Sequence, residues 1–233
     1  MIARANRVLR ALSAGDYAAL ERNMNRVTLG VGEVLTEPLE RARYVYFPET
    51  AVLSMVVVLG DRSEVEAASV GNEGIAGLSA TLGPGRMTTR CSVLIAGDSQ
   101  RIAGSALRAA AASRPSLDFV LRRYTQAFIN QLAQSVACTH SHSIQQRCAR
   151  RLLIRQDRVG GGDSFILTQE HLSDMLGVRR EAVSGVAHAL QEQGVIEYSR
   201  GHVTILNRAA LEKISCECYA ATRADQARTF SRP

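Results

Sequence analysis

The chain has 233 residues, 46% hydrophobic and 21% charged, the balance of a globular protein with real cores; its length suits two modest domains and a connecting element. The formal charge of +6 favours polyanionic partners, and the longest strongly apolar run, 51–59, is too short for a membrane-spanning helix, so no membrane partner is expected. The opening MIARANRVLRAL has neither the apolar core nor the cleavage site of a signal peptide, which predicts a cytoplasmic protein.

Charge does not locate the polyanion-binding half. Residues 1–138 hold 15 Arg against 12 acidic residues, and 139–233 hold 12 Arg and one Lys against 10, so each part carries +3. The five cysteines, an odd number without secretory context, argue against a disulfide framework.

In chain order, a first helix is predicted over 4–12 and a second over 16–24, with Asp16 as its N-cap. From residue 27 to 102 short β-rich pieces recur (RYVYF, VLSMVVVL, EVEAASV, RCSVLIA, SQRI), punctuated by Gly-, Pro- and Asn-containing turns such as Gly83-Pro84-Gly85. That texture predicts a compact β-sandwich or roll. An alanine-rich helix over 105–113 then precedes Pro115, which opens a longer one. Along it Leu117, Leu121, Tyr124, Phe128, Leu132 and Val136 recur at three- and four-residue steps. Such a stripe serves a helix packed on its own domain or a dimer seam; the position between two differently textured halves favours the dimer. A further helix over 143–157 leads to the flexible Gly160-Gly161-Gly162.

The stretch from 167 to 206 reads as helix, turn, helix and hairpin. Thr168 is an N-cap with Glu170 in the positive first turn, Leu172, Met175 and Leu176 share one face, and Gly177 supplies the tight turn. The second helix, 179–193, buries Val183, Val186, Ala187 and Leu190, and Gly194 ends it. Left exposed early in that helix are Arg179, Arg180, Glu181 and Ser184, the end that enters the major groove in such motifs. Arginine pairs with guanine, glutamate accepts from cytosine and serine serves either, so Arg180, Glu181 and Ser184 are candidate base contacts. Thr168, Gln169, Arg179 and Arg200, at the tip of a basic hairpin, are candidate phosphate contacts.

These motifs resemble the Crp/Fnr family of bacterial transcription regulators, and the resemblance spans almost the whole chain. The segment LTQEHLSDMLGVRREAVSGVAHALQEQGVIEYSRGHVTI is similar to the family's winged helix-turn-helix, while VGEVLTEP, YVYFPETAVLS and VEAASVGNEGIAGL resemble successive strands of its β-roll. The resemblance implies an α+β fold: a jelly-roll-like, cyclic-nucleotide-binding-like β-roll over 1–112, a dimerisation helix over 113–139 and a winged helix-turn-helix over 140–233. It further implies a homodimer on pseudo-palindromic double-stranded DNA, with RNA polymerase as a candidate partner. The alternative is a ligand- or redox-sensing regulatory protein with a degenerate DNA-binding half.

Two departures from the family pattern matter. Members that bind cyclic AMP supply a Gly-Glu pair and an Arg-Ser pair that meets the phosphate; the matching positions here are Gly77-Leu78 and Met87-Thr88. Methionine offers a buried phosphate neither charge nor donor. A degenerate effector pocket at Gly77, Leu78, Arg86, Met87, Thr88 and Arg90 is therefore expected, without response to cyclic AMP, although a one-residue slip would bring a flanking arginine into place. Many members also end their base-reading trio in an arginine where this chain has Gly185.

Cys138-Thr139-His140-Ser141-His142 and Cys216-Glu217-Cys218 contain zinc-ligand types, but not at the spacing of a standard finger. Cys138, Cys216 and Cys218 are expected to be structural, with no metal and no cofactor; a metal or redox site there is the alternative. No oxyanion site or orienting carboxylate accompanies Cys138 with His140 or His142, so an enzyme is not expected.

Overall fold

The computed structural model describes residues 5–83, 85–159 and 162–230. The expected helix start at Arg4, the turn residue Pro84 and the loop glycines Gly160 and Gly161 lie outside them. Among the described residues the chain divides into two compact units, one within 1–58, 68–130 and 226–233, the other within 59–67 and 131–225.

Helix α1 (Arg7–Ala11) is capped by Asn6, whose side chain accepts from the Val8 and Leu9 amides. The Asn6 amide also donates to the carbonyls of Pro48 and Gly74, so this fully buried polar group is satisfied. Helix α2 (Ala14–Glu21) begins earlier than expected: Ser13, not Asp16, is its N-cap, accepting from the Asp16 amide. Asp16 sits one turn in, buried, taking hydrogen bonds from Ser13 (2.8 Å) and Ser116 (2.6 Å). The Ser116 bond, aided by Ser13 and Arg114 against the cost of burial, holds its carboxyl below the ordinary range.

The strands follow: β1 (Met24–Leu29), β2 (Val34–Thr36), β3 (Tyr44–Pro48), β4 (Val52–Val58) and β5 (Glu64–Val70), then the single turn α3 (Ser79–Leu82), β6 (Thr89–Ile95) and β7 (Gly97–Ala103). They form two sheets, in the orders β1-β7-β3 and β2-β6-β4-β5. Strand β7 is central in the first and pairs antiparallel with both neighbours; β6 does the same between β2 and β4. Leu29 and Tyr46 from one sheet pack with Leu53, Cys91 and Val93 from the other, which is the two-layer burial that alternating strands require.

Helix α4 (Gly104–Ser113) leads into the 27-residue α5 (Pro115–Ser141). The expected seam is shared with the chain's own core. Leu117, Leu121 and Tyr124 are buried with Phe47, Ile75 and Ile102 in the chain's own core, and Phe128 packs against the same cluster. The Tyr124 hydroxyl donates to the Ile75 carbonyl at 3.0 Å. Leu117, Leu121 and Tyr124 are thus spent on the chain's own core, while Phe128 and Leu132 are half-buried. The large apolar residues that α5 leaves exposed are Phe119, Ile129 and Val136.

The second unit holds α6 (Ile144–Arg158), β8 (Ser164–Ile166), α7 (Gln169–Leu176), α8 (Arg180–Glu192), β9 (Ile196–Ser199), β10 (His202–Ile205) and α9 (Arg208–Ile214). The last helix, α10 (Cys218–Phe230), begins in this unit. A capping box of Ser143 and Gln146 starts α6. Strands β8, β10 and β9 form an antiparallel sheet in that order. Its Phe165, Val203 and Ile205 close over a core of Leu152, Leu153, Leu172, Met175, Val183 and Leu190.

Candidate nucleic-acid interface

Thr168 caps α7 by accepting from the His171 amide at 3.2 Å. Gly177 ends that helix in the left-handed region, at φ 62°, where a side chain is disfavoured and where the backbone can turn sharply into α8. Two side chains lock the turn: the Ser173 hydroxyl donates to the Val178 carbonyl, and Arg147 of α6 donates to the Leu176 carbonyl at 3.1 Å. The angle between α7 and α8 is thus held by hydrogen bonds as well as by packing.

On α8, Val183, Ala187 and Leu190 are buried and Val186 packs against the same core. Arg179, Arg180, Glu181, Ser184 and Gly185 are exposed. The helix starts at Arg180 rather than Arg179, which is the N-cap residue and makes no side-chain cap bond. The first amides of α8 are therefore not covered by a capping side chain, and a helix N-terminus in that condition suits an anionic oxygen. Arg180 reaches Glu170 of α7 at 3.1 Å; both partners are about two-thirds exposed, so the pair contributes little to stability and competes weakly with any other anion.

Glu170 also acts on Asp174, one turn further along α7. Burial, together with Glu170 and Glu64, raises the Asp174 carboxyl to about 6 against the opposing Arg180 charge. The hairpin of β9 and β10 turns through Arg200 and Gly201, both at positive φ (50° and 78°), which is a two-residue turn whose twist matches its strands. That turn leaves Arg200 exposed. The hairpin is tied to α8 by the Tyr198 amide, which donates to Gln191 at 2.8 Å.

Gly185 has no internal reason to be glycine. A Cβ placed there meets nothing within 4 Å, and no positive φ requires it.

The expected effector-pocket residues separate. Gly77, Leu78, Arg86 and Met87 line a cavity of about 240 Å³ with Met55, Ile75, Leu82, Thr125 and Phe128. Thr88 and Arg90 do not, and Arg90 instead pairs with Glu37 at 2.8 Å. Gly77 is a backbone necessity: its φ is +82°, and a Cβ would lie 2.4 Å from the Tyr44 carbonyl oxygen. The lining is apolar apart from the exposed Arg86 and the hydroxyls of Ser79 and Thr125. The Thr125 hydroxyl is already engaged with the Leu121 carbonyl at 2.9 Å.

Elsewhere in the second unit Cys138, Cys216 and Cys218 converge, together with His142, which the sequence did not single out from its neighbour His140.

Residues 146–214 match the family model of the Crp-like helix-turn-helix domain. A curated relative, the cyclic AMP receptor protein of Thermus thermophilus, is 38% identical over 63 residues, 27% of this chain and 29% of that protein's length. Over most of the chain the fold is similar to that of FixK2 from Bradyrhizobium japonicum (TM-score 0.72, 20% identity, covering 83% of this chain and 98% of that one). It is also similar to TTHB099, a CRP-family transcriptional regulator from Thermus thermophilus (TM-score 0.68, 22% identity, 82% and 96%).

Proposed function

We propose that this chain, which has the Crp/Fnr fold and carries a Crp-like helix-turn-helix domain, is a homodimeric, sequence-specific DNA-binding transcription regulator that does not respond to cyclic AMP. The observation that carries the reading is the division of α8 into two faces. Val183, Ala187 and Leu190 anchor it, leaving Arg180, Glu181 and Ser184 on one exposed surface. Those three read bases; Arg179, Thr168, Gln169 and Arg200 hold phosphates, with the Thr168 oxygen serving its cap while its proton remains available to donate. Two such units related by a two-fold axis reach half-sites about one helical turn apart.

The α5 residues Phe119 and Ile129 support the dimer, since exposed apolar side chains on a long helix gain most from a second copy. The apolar cavity supports indifference to cyclic AMP. A phosphate entering it would leave its water for a methionine-lined wall with one exposed arginine.

Selection of bound duplexes from a random pool tests the reading. A single pseudo-palindromic sequence should emerge, and Arg180→Ala with Glu181→Ala should weaken its binding by at least about tenfold, the loss expected from one good bidentate contact. Unchanged binding would overturn it, and binding no tighter than to random duplex would favour the degenerate sensor.

A further inference from the structure

We propose that Cys138, His142, Cys216 and Cys218 form a tetrahedral zinc site in the second unit. Their ligand atoms all lie within 4.8 Å of one another. Cys138 Sγ and Cys216 Sγ are 3.5 Å apart, and Cys218 Sγ lies 3.7 Å from His142 Nδ1. Ligands around one zinc, at bond lengths of about 2.3 Å to sulfur and 2.0–2.1 Å to nitrogen, stand roughly 3.5–3.8 Å from each other. A disulfide would require about 2.05 Å, and all five cysteines are free.

Local structure explains the convergence. Cys138 and His142 are four residues apart, at and just beyond the end of α5, so both project from one side of its last turn. Cys216 and Cys218 flank Glu217 at the start of α10, so the chain brings two sulfurs to one place there. The three cysteines are buried and cluster apart from the unit's hydrophobic core. Cysteines buried only as small apolar groups would not need an imidazole nitrogen turned toward them.

The surroundings also suit a metal. His142 Nε2 lies 3.1 Å from Glu217 Oε1, the carboxylate contact that orients a metal-binding imidazole through its far nitrogen. The Gln134 amide donates to Cys218 Sγ at 2.9 Å, an outer contact of the kind that orients a metal-binding sulfur. Arg150 is 3% exposed, donates to Thr222 at 3.2 Å, leaves its Nε unpaired and has no carboxylate within ion-pair distance among the described residues. One zinc with three thiolates and a neutral imidazole carries a net single negative charge, the counter-charge such a buried guanidinium lacks. Bound zinc would clamp the end of α5 to the start of α10, 78 residues away in sequence, and its binding free energy would add to the folding free energy of this unit.

The experiment uses the reduced, full-length chain after chelator treatment. Titration with Co2+ should saturate at about one equivalent, with the strong near-ultraviolet thiolate absorption and visible bands of a tetrahedral sulfur-rich site, and Zn2+ should displace it. Zinc should also raise the melting temperature. His142→Ala and Cys216→Ser should each weaken binding by at least about tenfold, while Cys91→Ser, in the other unit, should leave it unchanged. Absence of the cobalt bands in the unmodified chain would overturn the site, as would undiminished binding by Cys216→Ser. Neither result bears on operator binding, which is measured separately.

Discussion

At the scale of single residues, Gly185 is the sharpest case. A mid-helix glycine costs about 0.5–1 kcal/mol relative to alanine, and here nothing within the chain demands it. Gly185→Ala should therefore stabilise the protein by about that amount in thermal or chemical melts. Gly185→Arg, whose side chain has open space, should sharpen the selected operator at one further position in each half-site without loss of fold. Asp174 gives a pH prediction. Its carboxyl is raised from 3.8 to about 6 by burial and by Glu170 and Glu64, so the folded chain holds a proton that the unfolded chain releases. The stability this contributes is fully present below the unfolded value and is lost as pH rises through about 6. Asp174→Asn should flatten that slope, as chemical denaturation at pH 5 and pH 7 measures, by only a modest amount because the group is partly solvated.

At the scale of elements, α5 shows why periodicity alone does not assign a face. Leu117, Leu121, Tyr124 and Phe128 recur at three- and four-residue steps, but so do Phe119, Arg122, Gln126, Ile129 and Ala133. Either stripe satisfies a helical repeat, and only packing decides which one the chain keeps for itself. The bulkier stripe went inward, where burial of each large apolar side chain contributes roughly 1.5–3 kcal/mol. The proposed dimer then draws on the apolar side chains that α5 leaves exposed, Phe119 and Ile129 among them. Phe119→Glu with Ile129→Glu should shift the sedimentation profile from dimer to monomer while circular dichroism is unchanged; Leu121→Glu should instead unfold the N-terminal unit. A dimer that survives the first pair would remove α5 as the seam. Strand β1 was hidden for a related reason: in Met24–Leu29 polar and apolar residues mix, and only its full pairing with β7 makes it a strand.

At the scale of the molecule, the proposed dimer places Arg179 and Arg200 on DNA twice. Removing both from each protomer takes away four phosphate contacts. Arg179→Ala with Arg200→Ala should flatten the dependence of log affinity on log salt by about 3.6, or 0.9 per contact, with little change in the preferred sequence. A changed preference with an unchanged slope would mean these arginines read bases instead. Cyclic AMP should leave both operator affinity and melting temperature where they are; a saturable rise in either would overturn the reading of the cavity.

The sequence by itself determined the parts governed by local rules. The Thr168 cap, the Gly177 turn, the exposed Arg180-Glu181-Ser184 surface and the hairpin around Arg200 each follow from a few neighbouring residues, and each stands in the structure. Ser13 in place of Asp16 as the cap of α2 is a near miss of the same local kind, since both types cap and only the backbone chooses. The tertiary structure decided what depends on residues far apart in the chain. It chose which stripe of α5 is buried, separated Arg90 from the cavity that Met87 lines, and brought Cys138 and His142 to Cys216 and Cys218. Spacing along the chain carries no record of such meetings, because a fold closes those distances through contacts that neither segment makes alone.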